Sequence, residues 1–353
     1  MKKKVDLKLI FNIATLLIPF GMIIYFFVSE NGLMDFLENA STFNWFWIIV
    51  AVACQLLNVF IDAYVLYRFT NNYNKTYTLK KSLKTTAVGQ FFSVITPGAI
   101  GGQPAQIYSM KNQNIDTGIA TSSLVQKFLV YQTTITIYSF IAMLCNLDIF
   151  TGRFGKTMMS LSLFGFISHA GVVIFIFMFS INKKLTTGII NWCFKLLAKI
   201  KIIKNPTESS EKIKSQLEYF HESNIKLYKN KKMLFLTCFL TIVQLTLIFS
   251  IPYTIYRAFG FNEAHIFDMI TGQAFVTMIS SFVPIPGGSG AAEGCFGLFF
   301  STYFLQNTMK SAILVWRIIS YYMNIIIFAP FSRIKNIRKV ECKPENNKIE
   351  RNK

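Results

Sequence analysis

Two cations stand where an apolar chain has little reason to carry any. Lys127 lies ten residues into one hydrophobic run and Arg317 eight residues into another, and the two are 190 residues apart. At about 1.5 Å per helical residue, each would sit roughly 12 to 15 Å deep in a bilayer, reached from opposite faces. An ionised group at that depth costs several kcal/mol unless it is paired or wetted, so each is a candidate functional residue. Few acids accompany them within the apolar runs, and the expected balance is net positive charge near the centre. A lipid phosphate would neutralise it. The competing reading is a structural ion pair, for example Arg317 with Glu293.

Two glycine- and proline-rich breaks accompany the cations. Residues 94–110 read VITPGAIGGQPAQIYSM and residues 280–294 read SSFVPIPGGSGAAEG. In the first, Gly98, Gly101 and Gly102 free the backbone ahead of Gln103, and Pro104 stands where a helix restarts, proline being favoured at a first helical position. In the second, Pro286, Gly287, Gly288, Ser289 and Gly290 precede a restart near Ala291. Restarted helices offer free N–H groups and partial positive charge to anions, phosphate among them. The structural alternative is that these glycines only let two hairpins turn and pack closely. Polar backbone at membrane depth must be buried or line something polar, which favours binding. The candidate headgroup site is therefore Lys127 and Arg317 with Gly98, Gly101, Gly102, Gln103 and the run Pro286 to Gly290. Glu293 is open to three readings: a cap on the restarted helix, a partner of Arg317, or a proton-coupling group.

Other chemistry is poorly supported. No Gly-x-x-x-x-Gly-Lys-Ser/Thr run follows a strand, which excludes a nucleotide P-loop. The six cysteines are scattered without ligand spacing and read as small buried hydrophobes, so neither a metal nor any other cofactor is expected. His169 reads as a packed, hydrogen-bonded group, and Gln55, Asn58, Gln132 and Gln244 as interhelical hydrogen-bonding groups. Asp62, near Arg68, and Asp268 are expected to reach the membrane interfaces.

The elements that would position these residues follow from composition. Hydrophobic residues make up 52% of the 353 and charged residues 15%, with mean hydropathy +0.42. That is too apolar for a soluble domain and describes an all-α polytopic membrane protein. The formal charge of +19 concentrates between apolar runs and at the tail. It is a topology signal rather than a nucleic-acid footprint. Six full spans are expected: Leu9–Ser29, Phe43–Tyr67, Thr117–Cys145, Thr157–Ile181, Met233–Tyr256 and Met309–Phe331. Basic residues place both termini, the segment Arg68–Lys84 and the loop Asn182–Lys232 in the cytoplasm; that loop has twelve lysines against four glutamates. The acidic connection Glu30–Asn44 belongs outside.

These sides alternate only if the two broken segments, Ser82–Asp116 and Ala264–Asn307, each enter and leave on one side as re-entrant hairpins, although Ala264–Phe282 is long enough to cross. Eight hydrophobic elements result, in the order span, span, hairpin, span, twice over and inverted: 1–145 forms the first half and 157–331 the second. Phe43 to Met233, Pro97 to Pro286 and Thr117 to Met309 are offset by 190, 189 and 192 residues. Inverted repeats with broken helices are an architecture of secondary transporters, with the site near the midplane. Residues 182–232 form a basic insertion, read either as an amphipathic helix on an anionic leaflet or as a solvated connector. A basic tail, 332–353, follows. The residues together imply a translocase for a phosphate-bearing lipid, passive or ion-coupled, with a non-catalytic membrane partner subunit as the alternative.

The motifs also carry a resemblance. Pro97-Gly98 with Gly101-Gly102-Gln103-Pro104, and Pro284-Ile285-Pro286-Gly287-Gly288-Ser289-Gly290 with Glu293-Gly294, resemble the transmembrane flippase domain of bacterial lysylphosphatidylglycerol synthases, the multiple peptide resistance factor family, in a stand-alone form. The resemblance implies a flippase of the bacterial cytoplasmic membrane that moves phosphatidylglycerol or lysylphosphatidylglycerol between leaflets, in a family tied to resistance against cationic antimicrobial peptides. A polyprenyl phosphate fits the same chemistry. Family members often have a glutamate at the position of Gln103 and an arginine near Gln106, and this chain departs at both. Fused synthases add a soluble lysyltransferase domain, but only 22 residues follow Phe331. The expectation is a non-enzyme whose partners are anionic phospholipid and, where lysyl lipid is the cargo, a separate synthase. The oligomeric state is open.

Overall fold

The computed structural model describes residues 43–146, 155–189, 192 and 230–332. The expected first span Leu9–Ser29, most of the basic insertion and the tail from 333 lie outside the described residues. The described residues form helices joined by turns and short irregular connections, with no strand among them.

The first described helix, α1, runs Trp45–Tyr73, and Asn44 opens it by accepting the Phe46 N–H at 3.2 Å. A tight connection leads to α2, Leu79–Ile95, a 3₁₀ turn at Pro97–Ala99, and α3, Gly102–Lys111. Asp116 then caps α4, Thr117–Cys145, accepting the Gly118 N–H at 2.7 Å. Such caps satisfy donors that the first helical turn leaves unpaired. Next is α5, Gly155–Ile181. Then α6, Lys231–Phe249, is continued by α7, Ile251–Ala258. Pro252 cannot donate to the ladder, which is why the expected continuous span divides at Ser250. Then come α8, Ile266–Ser280, a 3₁₀ turn at Pro286–Gly288, and α9, Ala291–Phe300. The last run is α10, Gln306–Arg317, a π-helical turn Ile318–Tyr322, α11, Met323–Phe328, and a 3₁₀ end at Ala329–Ser332.

Among the described residues, five stretches are long and apolar enough to cross a membrane: Trp45–Tyr73, Thr117–Cys145, Met159–Met178, Lys231–Ala258 and Gln306–Ser332. They coincide with five of the six expected spans. The polarity of the packing agrees with a lipid solvent. Ile49, Phe235 and Ile326 point outward at 66%, 77% and 70% exposure, while Gln55, Asn58, Asp62, Gln244 and Asn324 are buried. A soluble domain does the reverse. Cysteines follow this only partly: Cys295 is buried, Cys54 and Cys238 are half-buried and Cys145 is exposed, a correction to the reading of all six as buried.

α1 is the hub, packing against α2, α4, α6 and α7. Each broken segment folds back on itself, α2 against α3 and α8 against α9, and the two turns touch each other. Both turns need a left-handed residue after proline: Gly98 has φ 59° and Gly287 has φ 64°. A Cβ on Gly287 would also run into the Tyr321 ring. Gly287→Ala is therefore expected to cost about 1–3 kcal/mol, read as a lower thermal midpoint of the purified protein. Ala99, itself left-handed at φ 56°, gives the opposite sign: Ala99→Gly should raise the midpoint slightly or leave it unchanged.

Candidate functional site

A cavity of about 720 Å³ lies between α4, α6 and α8 and is lined mostly by apolar side chains such as Ile137, Tyr138, Ile141, Ile242 and Ile270. It holds no charged group. The chemistry is in a smaller cavity of about 340 Å³ where α1, α2, α3, α4, α6 and the last helical run converge. Lys127 from α4 and Asp62 from α1 meet in it at 2.7 Å. Gly102 and Gln103, at the restart of the first broken segment, form part of its wall with Gln106 one turn on.

Local sequence explains this convergence. Gln55, Asn58 and Asp62 recur at three- and four-residue spacing on one face of α1, as Lys127 and Tyr131 do on α4 and Ser320 and Asn324 do on the last run. The small residues let the walls close up. A Cβ on Gly89 would strike Gln106, and one on Gly102 would strike the Ser93 hydroxyl. Gln55 donates to Asn324 Oδ1 at 3.1 Å, which ties α1 to the end of the chain.

Arg317 stands at the second break and does not line that cavity. Its Nε lies 2.7 Å from Glu293 Oε1, its Nη1 donates to the Gly287 carbonyl at 3.0 Å, and its guanidinium lies 4.9 Å from the Trp316 ring centroid. The Nε contact is close but off the hydrogen-bonding direction, and the buried Nη2 makes no hydrogen bond among the described residues. Glu293 combines two of its three readings. One oxygen faces Arg317 and the other accepts the Gly290 N–H at 2.6 Å, capping α9.

Four expectations are corrected by this geometry. The centre does not carry net positive charge from its two cations, because each meets a carboxylate at 2.7 Å. The physical reason is the cost of leaving a buried charge unpaired. Asp62 does not reach the interface; it is 8% exposed and holds Lys127. The restart donors are also partly satisfied from within: Gly101 N–H goes to Thr96 Oγ1 at 2.9 Å and Gly290 N–H to Glu293. Pro104 is the third residue of α3 rather than its first, still inside the turn whose N–H groups have no helical acceptor.

Of the other candidate residues, Gly98 and Gly101 shape the first turn, and Pro286, Gly287 and Gly288 the second. The Ser289 hydroxyl closes on the Pro286 carbonyl at 2.9 Å. Lys127, Gly102 and Gln103 are thus brought together, whereas Arg317 and the second-break residues form a neighbouring cluster joined to them through the touching turns. Tyr321 is part of that joint, its hydroxyl donating to the Val94 carbonyl at 3.1 Å. Composition alone gives Asp62, Gln106 and Asn324 no prominence, but their three- and four-residue spacing to other polar groups was a usable signal. His169 takes the packed role expected, bonded to Gln132 and to Ser281 Oγ.

Asp62→Asn should leave a buried ammonium without its counter-charge and lower stability by about 3–5 kcal/mol. Asp62→Asn with Lys127→Met should recover most of that loss. The check is denaturation of the purified variants in one detergent. Additive losses would show that the pair contributes nothing beyond its separate members.

The chain is 23% identical over 292 residues to a UPF0104 membrane protein of Archaeoglobus fulgidus, covering 81% of this chain and 85% of that one. Uncharacterized proteins of Mycoplasma genitalium and Mycoplasma pneumoniae are 22% and 24% identical, covering 84% and 90% of this chain and 80% and 85% of theirs. The family model described as the lysylphosphatidylglycerol synthase TM region matches residues 10–327, a range that contains both breaks, both ion pairs and the polar cavity. The chain is a membrane protein of the lysylphosphatidylglycerol synthase transmembrane-region family.

Proposed function

We propose that this protein is a lipid translocase of the cell membrane, which takes the phosphate-bearing headgroup of phosphatidylglycerol or its lysyl ester through the polar cavity while the acyl chains stay in the bilayer. The observation that carries the reading is that cavity: a hydrophilic space with an ion pair, walled by a helix restart, inside a bundle whose outer face is apolar. A phosphate would compete with Asp62 for Lys127, and a lysyl ammonium would take the released carboxylate. The Arg317 and Glu293 pair at the second break would bias the opposite opening.

In this reading the two broken segments are re-entrant hairpins in inverted halves, with six spans and both termini cytoplasmic. Support comes from the matched left-handed glycines of two touching turns. Further pairs recur at an offset of 190 residues: Lys127 with Arg317, Tyr131 with Tyr321, Gln103 with Glu293. Rocking of one half against the other would alternate access. The protein would act without aminoacyl transfer, downstream of a separate synthase where lysyl lipid is the cargo.

The test is reconstitution into liposomes with headgroup-labelled phosphatidylglycerol and a membrane-impermeant quencher. Wild type should expose inner-leaflet label at least about tenfold faster than Lys127→Ala or Arg317→Ala at equal protein density, a loss of about 1.4 kcal/mol or more in barrier terms. Equally slow exposure in all three would remove phosphatidylglycerol as the cargo and turn attention to polyprenyl phosphates.

A further inference from the structure

The cavity's ion pair accounts for two of its polar side chains; most of the others are carboxamides. α1 contributes Gln55 and Asn58, α2 Gln90, α3 Gln103 and Gln106, α6 Gln244 and α11 Asn324. Five helices thus aim the same functional group into about 340 Å³. Asn58, Gln106 and Gln244 are each 6% exposed. Among the described residues their side chains make no hydrogen bond, and the buried Gln55 Oε1 also has no partner. Unspent amide capacity at this burial costs stability unless a ligand or water uses it.

A carboxamide presents an acceptor and two donors side by side. A phosphate, which only accepts, would satisfy the NH₂ half of each and leave the carbonyl oxygens facing more oxygen. Asp62 would add repulsion. Vicinal hydroxyls donate and accept together, so they satisfy both halves. Phe128 and Tyr131 add aromatic surface to the same wall, suited to the apolar face of a sugar ring. The volume is near the lower end of the roughly 300–1,000 Å³ usual for ligand pockets, enough for a headgroup without its chains.

We infer that the cavity recognises its lipid through vicinal hydroxyls gripped by these carboxamides, the matching headgroups being a hexose or the free glycerol of phosphatidylglycerol, which narrows the proposed cargo to the unesterified lipid because a lysyl ester leaves only one of the two hydroxyls. This rests on the cavity being the headgroup site of a lipid translocase, and its test reads binding separately from transport. Purified full-length protein is equilibrated with four lipids of matched chains: monoglucosyl diacylglycerol, phosphatidylglycerol, phosphatidic acid and phosphatidylethanolamine. Retained lipid is counted by native mass spectrometry. The two hydroxyl-bearing lipids should be retained about tenfold over the other two. Preference for the glucosyl lipid alone identifies a hexose as the source, and preference for phosphatidylglycerol alone identifies glycerol.

Asn58→Leu should bring the preference close to unity. Gln103→Leu, at an exposed position where the substitution spares the packing, should weaken it severalfold. Phosphatidic acid or phosphatidylethanolamine retained as well as the hydroxyl-bearing lipids would overturn the inference. So would a preference unchanged in Gln103→Leu when Asn58→Leu is folded and also unchanged. Preference without leaflet exchange of the same lipids in liposomes would instead defeat the translocase reading and leave the binding site standing.

Discussion

The structure depends on one constraint: inside an apolar solvent, every interrupted helix and every charge must find its partner within the protein. Two broken segments in an apolar bundle would each be costly alone. Their turns touch, and around that contact the chain gathers its polar groups. Tyr321 links the end of one broken helix to the turn of the other, its hydroxyl on Val94 and its ring against Gly287. The joint connects one break to the other through packed atoms rather than through a long flexible path.

Charge follows the same logic. Lys127 and Arg317 are held by different carboxylates in different ways, one across two long helices and one between a helix restart and the final run. A buried pair of this kind contributes little net stability, yet losing one member is severe. Such pairs suit a site in which a ligand exchanges partners with them, because a headgroup bearing phosphate or ammonium replaces one member with another of like charge. In the proposed translocase the resting cavity is then self-neutral, and selectivity would fall to its uncharged groups. Carboxamides from five helices provide them.

The final run, Gln306–Ser332, joins these features. It is regular up to Arg317, loosens into a π-helical turn through Ile318–Tyr322, and resumes at Met323. A π turn rotates the side chains that follow it relative to an uninterrupted α-helix. That places Arg317 at the second break while Ser320 and Asn324 face the polar cavity. One helix thereby serves both clusters, and Asn324 receives Gln55 from α1 at 3.1 Å.

Much of this was legible in the sequence because it is set locally. Hydropathy over about 20 residues marks spans, glycine and proline mark breaks, and a lysine or arginine within an apolar run stands out whatever surrounds it. Thr117–Cys145 was readable to the residue, and Ala291 was recognisable as a restart. Partnership was not local. Asp62 lies 65 positions from Lys127, and its nearest charged neighbour in sequence is Arg68, so sequence proximity pointed to the wrong cation. The carboxamides were visible one by one as hydrogen-bonding groups, but their convergence on one cavity depends on helix rotation and crossing, which packing sets. The sequence alone therefore determined a polytopic helical membrane protein with two breaks and two cations within apolar runs. Only the tertiary structure decided which acid meets each cation and that the amides share a single space, because those outcomes depend on distances between helices far apart in the chain.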